Sequence, residues 1–311
     1  MAKTIITEYK ITNRKLKNKT TIAFFADAHS EWQKLERIKD LVIAKKIKVV
    51  VIAGDMIESI KGSDLARTKI LELLQEIAKH ATIIYTDGNH DTVYAEAEPE
   101  EDRERLLTDN YAYWSRLRDT DNIFMAGLPE NGVTAAQIRL TDDIDVSTIN
   151  ITPEYYWYKE QKEDFDEYIT ALDELDLDSN RFNILLKHSP KHVVNGNTID
   201  PRLKKYDLLL TGHMHAGLIP SALRNKSRRG LLGPGKSIFP ENSYGIVQDG
   251  DSISMTTGGI IKVADGSFGG ALKEIPGMRQ LLDCVYPPEM EIIDLEPGID
   301  NTLCLVKKYK Q

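Results

Sequence analysis

Cysteine is scarce in this chain: Cys284 and Cys304 are the only two in 311 residues. Two such thiols make neither a disulfide framework nor a CxxC pair, so nitrogen and oxygen must hold any metal. Long apolar runs are missing too. None reaches the roughly 18 residues that a membrane-spanning helix needs. The opening MAKTIITEYKITNRKLK alternates apolar and polar residues, as a strand does, and lacks a signal-peptide core. The expected compartment is therefore the cytoplasm. A basic excess is absent as well: 40 Lys and Arg against 48 Asp and Glu leave a net charge of −8. Proteins that grip long nucleic acids draw affinity from neutralised phosphates, so a nucleic-acid backbone is not expected as the main partner. Internal repeats and low-complexity tracts are not seen.

What is present is the composition of a folded protein, 41% apolar and 28% charged. The length suits one large α/β domain over residues 1–311. TTIAFFAD (20–27), VVVIAGD (49–55) and ATIIYTDGNHD (81–91) read as buried strands. Between them, EWQKLERIKDLVIAKK (31–46) and SDLARTKILELLQEIAKH (63–80) carry a helical period, the second with Ser63 as N-cap. Continuous apolar strands joined by helices predict parallel crossovers and a sheet covered on both faces. Residues 94–120 read as a helical, lid-like insertion. Short strands follow within 122–152, a helix at about 160–175, then strands FNILLKH (182–188) and YDLLLTGHMH (206–215). The remainder, with strands at 243–249, 252–263, 290–295 and 302–308, reads as antiparallel.

Five of the seven histidines (29, 90, 188, 213 and 215, but not 80 or 192) lie at or just beyond the end of an apolar run. Ligands of open α/β sheets bind beyond the carboxyl ends of the strands. There the chain places Asp27-Ala28-His29, Gly54-Asp55, Gly88-Asn89-His90-Asp91, His188 and Gly212-His213-Met214-His215. Each piece alone has an ordinary explanation; Gly-Asn-His-Asp, for instance, also suits a tight turn. Gly-His-x-His is more specific, because residues two apart in extended chain point the same way. Five pieces in this order, each after a strand, leave the ordinary explanation little room.

This series resembles the calcineurin-like metallophosphoesterase family over roughly residues 20 to 260, with no family motif missing. The tail with Gly217, a basic loop and Tyr244-Gly245 resembles the branch related to UDP-diacylglucosamine pyrophosphatases. The resemblance implies a four-layer αββα sandwich with two mixed sheets and a centre of two divalent metal ions. One ion would be held by Asp27, His29, Asp55 and His215, the other by Asp55, Asn89, His188 and His213, with Asp55 bridging. Mixed nitrogen and oxygen ligation suits Mn²⁺, Fe²⁺/Fe³⁺ or Zn²⁺. The implied reaction is attack of a metal-bridging hydroxide on a phosphoester, phosphodiester or pyrophosphate of a small phosphorylated substrate.

His90 adjoins Asn89 yet is not needed in either metal shell, which makes it the candidate general acid. Glu58 resembles the family's acidic partner for that histidine, and Asp91 competes for the role. Either acid would equally suit a helix start. Arg224, Lys226, Arg228, Arg229 and Lys236 form a basic loop that begins nine residues after His215 and contains no acid. Arg228 and Arg229 are its candidates for holding a second anionic group, with a solvated loop as the alternative. Trp157 and the tyrosines of PEYYWYKE (153–160) suit packing better than stacking on a base or covering acyl chains. His80 reads as structural and His192 as solvated. Lys10, Arg14, Lys15, Lys17 and Lys19 read as a solvated hairpin turn. Two other functions compete: a nuclease on the same fold, and a non-catalytic metal-binding scaffold.

Overall fold

Strands form where β-branched and aromatic residues run together, and helices where apolar residues recur every three or four positions. The computed structural model describes residues 3–58, 64–91, 112–126, 133–151, 165–224, 228–233, 237–261 and 275–311. In the first half the strands are β1 (Ile5–Asn13), β2 (Thr20–Phe25), β3 (Val49–Ile52), β4 (Thr82–Tyr85), β5 (Ile123–Phe124), β6 (Val133–Arg139) and β7 (Ile144–Ile151). In the second half they are β8 (Phe182–Leu186), β9 (Val194–Asn195), β10 (Thr198–Ile199), β11 (Leu208–Thr211), β12 (Gly245–Asp249), β13 (Ser252–Thr256), β14 (Glu289–Pro297) and β15 (Thr302–Lys310). Helices α1 (Trp32–Ala44), α2 (Asp64–Ala78), α3 (Phe165–Asp173) and α4 (Met278–Val285) accompany them.

Two mixed sheets result, one in the order β15-β1-β14-β2-β3-β4-β5 and one in the order β12-β13-β11-β8-β7-β6. Successive side chains of a strand point to opposite faces, and this alternation builds the layers. Ala23, Phe25, Val50 and Ile52 join Leu35 and Ile38 of α1 and Leu71 and Leu74 of α2 in one core. Their neighbours Ile22, Phe24, Val49 and Val51 face Ile184, Leu186, Leu208 and Leu210 of the other sheet. Leu185 and Leu209 turn outward to Tyr168, Ile169 and Leu172 of α3. The order helix, sheet, sheet, helix is the four-layer sandwich expected.

In-register parallel pairing sets the site. Phe24 lies opposite Val51, and Val51 opposite Ile84. Leu208 lies opposite Ile184 in the second sheet. The carboxyl ends of β2, β3 and β4, and those of β8 and β11, therefore each finish side by side.

Two expectations change, and a third falls mostly outside the described residues. The C-terminal strands are not simply antiparallel: β14 runs parallel to β1 and antiparallel to β2, and β13 runs parallel to β11. Because β14 sits between β1 and β2, the N-terminal basic stretch is no hairpin turn. Lys19 Nζ lies 2.7 Å from Asp294 and 2.9 Å from Glu296, while Lys15 Nζ reaches Asp207 at 2.9 Å. Of the expected lid-like insertion at 94–120, 94–111 lies outside the described residues and 112–118 is helical. That end belongs to the core: Trp114 meets Tyr85 edge-on at 5.6 Å and donates its indole N–H to the Asp91 carbonyl at 3.3 Å. Ser63 and residues 153–160 also lie outside the described residues.

Ile184 is fully buried between the sheets, whereas Leu305 on edge strand β15 is exposed. Ile184→Ala should cost about 2–5 kcal/mol of unfolding free energy, and Leu305→Ala within about 0.5 kcal/mol. Urea denaturation followed by circular dichroism measures both.

Candidate metal centre

The turns that follow the five strands bring the seven expected side chains together. Ligand atoms of Asp27, His29, Asp55 and His215 lie within 4.8 Å of one another, and so do those of Asp55, His188 and His213. Asn89 joins the second group, its Oδ1 lying 3.1 Å from His188 Nε2. Asp55 belongs to both groups.

The backbone is bent to achieve this. Asp27, His29, Asp55, His213 and His215 all have positive φ, between 43° and 68°. That region costs an L-residue roughly 1–2 kcal/mol, so something must hold the turns. Asp27 N–H donates to the Gly54 carbonyl and His29 N–H to that of Asp55, both at 3.0 Å. His213 N–H donates to the Asp27 carboxylate at 3.1 Å. A Cβ on Gly88 would lie 2.2 Å from Asp55 Oδ1, so only glycine allows the third loop so close.

Asp91 does the rest. Its Oδ2 accepts the N–H groups of Asp55 at 2.8 Å and Gly88 at 2.9 Å, and the Tyr85 hydroxyl at 2.9 Å. Its Oδ1 accepts those of Met56 at 2.9 Å and Ile57 at 3.1 Å. Burial and the nearby Asp55 charge push its pKa up to about 6 against these bonds. This corrects the expectation that Asp91 competes to orient His90, since its carboxylate clamps two loops. Glu58 holds His90 instead, with Oε1 2.6 Å from His90 Nδ1. The other Glu58 oxygen lies 3.0 Å from His29 Nδ1, so one carboxylate ties a candidate ligand to the candidate acid. Burial works to raise the Glu58 pKa, yet the two imidazoles hold it well below the usual range.

The donor chemistry fits cations. Carbonyls can only accept, so His188 Nδ1 donates to Ala53 at 2.5 Å and His215 Nδ1 to Ile261 at 2.8 Å. This leaves both Nε2 atoms with lone pairs, the arrangement metal-binding imidazoles adopt. His188 Nε2 then faces Asn89 Oδ1 and His213 Nδ1, each at 3.1 Å, and Asp55 Oδ2 at 3.2 Å. The last approach is off the angle of a hydrogen bond. Indeed Asp55 Oδ2 and His29 Nε2, buried 3.5 Å apart, have no hydrogen-bond partner at all. Buried polar atoms are almost always paired; an acceptor and a lone pair facing one point are completed by a cation. The side chains alone compensate with protons. Burial opposes a charged His188, but Asp55 pushes its pKa up to about 9; His90 reaches about 9 against burial through Asp55 and Glu58. Burial would raise Asp55, yet His188, His90 and His29 hold it well below the carboxylate range.

Segment 256–261 is a part of the site that sequence reasoning missed. Gly259 has φ +75°, and a Cβ there would lie 2.7 Å from Asp27 Oδ2. Ile260 and Ile261 donate their N–H groups to the carbonyls of Ala26 at 2.8 Å and Asp27 at 2.9 Å, and the Ile261 carbonyl orients His215. These contacts use backbone atoms, so the only signal in the sequence was the Gly258-Gly259 pair after a strand.

The arginines of the basic loop have partners of their own. Arg224 is buried against Glu289. Arg228 donates to Asn197 and to the Ile246 carbonyl, and Arg229 pairs with Glu241. Lys226 and Lys236 lie outside the described residues. His80 pairs with Glu76 at 3.7 Å, away from the cluster.

Two mixed sheets whose converging strand ends carry this nitrogen and oxygen donor set define a metal-dependent phosphoesterase. The chain belongs to the calcineurin-like phosphoesterase family, whose model matches residues 20–217. Among curated proteins none matches it significantly. Solved structures similar to it include a purple acid phosphatase from yellow lupin seeds, 12% identical, with TM-score 0.44. That match covers 79% of this chain and 45% of the lupin chain. A dimetal phosphatase from Danio rerio is 10% identical over 78% of this chain and 88% of its own, with TM-score 0.39. An E. coli phosphoesterase is 13% identical over 76% and 78%, with TM-score 0.31.

Because Gly259 presses on Asp27, Gly259→Ala should weaken metal retention about 10–100-fold. Elemental analysis after dialysis against graded chelator reads the change.

Proposed function

We propose that the protein hydrolyses a phosphoester, phosphodiester or pyrophosphate bond of a small phosphorylated substrate with two divalent cations. The observation that carries this reading is the pair of side-chain groups sharing Asp55, with Asp55 Oδ2 and His29 Nε2 buried and unpartnered between them. Asp27, His29, Asp55 and His215 would hold one cation, and Asp55, Asn89, His188 and His213 the other. Nitrogen and oxygen donors without thiolate suit Mn²⁺, Fe²⁺/Fe³⁺ or Zn²⁺. When bound, such cations supply an activated water near neutral pH and draw charge from the phosphoryl oxygens.

His90 carries the remaining step. Its ring lies edge-on to His29 at 4.6 Å between centroids, and its side chain stays partly open to solvent, where a substrate arrives. Glu58 fixes Nδ1, which leaves Nε2 to protonate the leaving oxygen. His90 N–H also donates to Asp55 Oδ1 at 2.7 Å, so the acid is anchored to the bridging residue itself.

The net charge of −8 favours a small substrate over a nucleic-acid backbone. Insertion of β14 between β1 and β2 supports treating residues 1–311 as one catalytic unit. The free, exposed thiols of Cys284 and Cys304 suit the cytoplasm.

Purified protein given Mn²⁺ should hydrolyse a bis-aryl phosphodiester and leave single- and double-stranded DNA intact; digestion of DNA would favour the nuclease, and metal binding without turnover the scaffold. His90→Asn should lower kcat about 10²–10⁴-fold with unchanged metal content. Turnover by that variant at the wild-type rate would remove His90 from the mechanism.

A further inference from the structure

Burying a carboxylate is costly unless hydrogen bonds or an opposite charge compensate it. The face of β14 that points between the sheets carries Ile293 and Leu295, packed into the same core as Ile22 and Phe24. The next inward positions are Glu291 and Glu289, and both are buried. Glu291 lies directly opposite Phe24 of β2 and shares its face. Because β14 runs antiparallel to β2, the two acids stand at the carboxyl end of β2, beside the turn that carries Asp27. Packing alone would be served there by apolar side chains, as it is at Ile293 and Leu295.

What the acids hold is a crossing between the sheets. Thr257 is buried just after β13 of the second sheet, where its N–H donates to the Thr211 carbonyl at 2.9 Å. Its hydroxyl donates to Glu291 Oε2, in the first sheet, at 2.6 Å. The hydroxyl oxygen also accepts the Gly259 N–H at 3.2 Å. An N–H can only donate, so the single hydroxyl hydrogen is directed at Glu291. Glu289 N–H donates to the Gly259 carbonyl at 3.2 Å, which holds Gly259 from both ends. Arg224 in turn ties Glu289 to the Ile219 carbonyl, four residues beyond His215.

From this crossing we infer that Thr257 and Glu291 are positioning residues that set how Asp27 and His215 meet, and so tune one of the two cation sites. Asp27 follows β2 of the first sheet, and His215 follows β11 of the second. Gly259, fixed by Thr257, lies against the Asp27 carboxylate. Ile261 then binds the Asp27 carbonyl through its N–H and His215 Nδ1 through its own carbonyl. Two members of the group Asp27, His29, Asp55 and His215 thus hang on one segment. The other group has a crossing of its own: His188 Nδ1, after β8 of the second sheet, donates to Ala53, after β3 of the first. A change at Thr257 therefore acts on one site more than on the other. The inference rests on the two-cation reading and adds the residues that hold one half of it.

The test is isothermal titration calorimetry of the metal-free, full-length protein with Mn²⁺. Wild type should bind two Mn²⁺ per chain. Thr257→Val, which keeps the shape and removes the hydroxyl, should weaken one of the two about ten-fold and leave the other unchanged. Glu291→Met, which removes the acceptor, should do the same, whereas Thr257→Ser should retain both affinities. Thr257→Ala differs from the serine variant by one oxygen and should show the one-site loss too, so the comparison does not depend on how valine is tolerated. Hydroxyl-free variants that bind both ions as wild type does overturn the inference alone. So does an equal loss at both sites with a lowered melting temperature, the mark of a purely structural contact. Wild type that binds fewer than two Mn²⁺ removes the two-cation reading itself, and the inference with it.

Discussion

The structure depends on one buried carboxylate being forced into a ring of imidazoles. Asp55 sits in a left-handed turn, fully buried, with His29, His90 and His188 around it and one oxygen left without a hydrogen-bond partner. Such an arrangement does not persist unaided. Five strained backbone positions at roughly 1–2 kcal/mol each must be offset elsewhere. The Asp91 carboxylate is the largest visible counterweight, because hydrogen bonds to a charged group contribute about 1.5–3 kcal/mol each and it accepts four from the backbone of the two loops. The clamp holds Asp55, the residue common to both donor groups, in place, and a proposed two-cation site would require such rigidity.

The sandwich supplies the convergence. Parallel pairing in each sheet finishes several strands side by side, and packing the sheets through Phe24, Val51, Ile184 and Leu210 brings both sets of strand ends together. Glu58 then couples the two jobs of the site. By contacting His29 and His90 with its two oxygens, it fixes one ring among the candidate ligands and the ring proposed as the general acid. A loss of Glu58 is therefore felt at both rings together.

Much of this was legible in the residues. Each candidate ligand stands just after an apolar run, so strand order alone predicted that they share one edge, and the layers followed from the alternation in β2, β3, β8 and β11. Glu58 was visible through the family resemblance. Other features were not legible, for definite reasons. The insertion of β14 between β1 and β2 is a pairing across more than 260 residues, with no local signature. The role of Asp91 is directed at backbone N–H groups, which every residue except proline offers. Arg224 looked like its basic neighbours because its partner, Glu289, lies 65 residues away. Segment 256–261, beyond the stretch 20–217 that the family model matches, acts through main-chain atoms that no side-chain pattern encodes.

The tightly held cluster around Asp55 is the chemically equipped part of the molecule. Anomalous diffraction from crystals soaked in Mn²⁺ tests the centre of the account most directly. Two peaks about 3.5–4 Å apart, flanking the Asp55 carboxylate, are the predicted result. No peak, or peaks remote from Asp55, would contradict it.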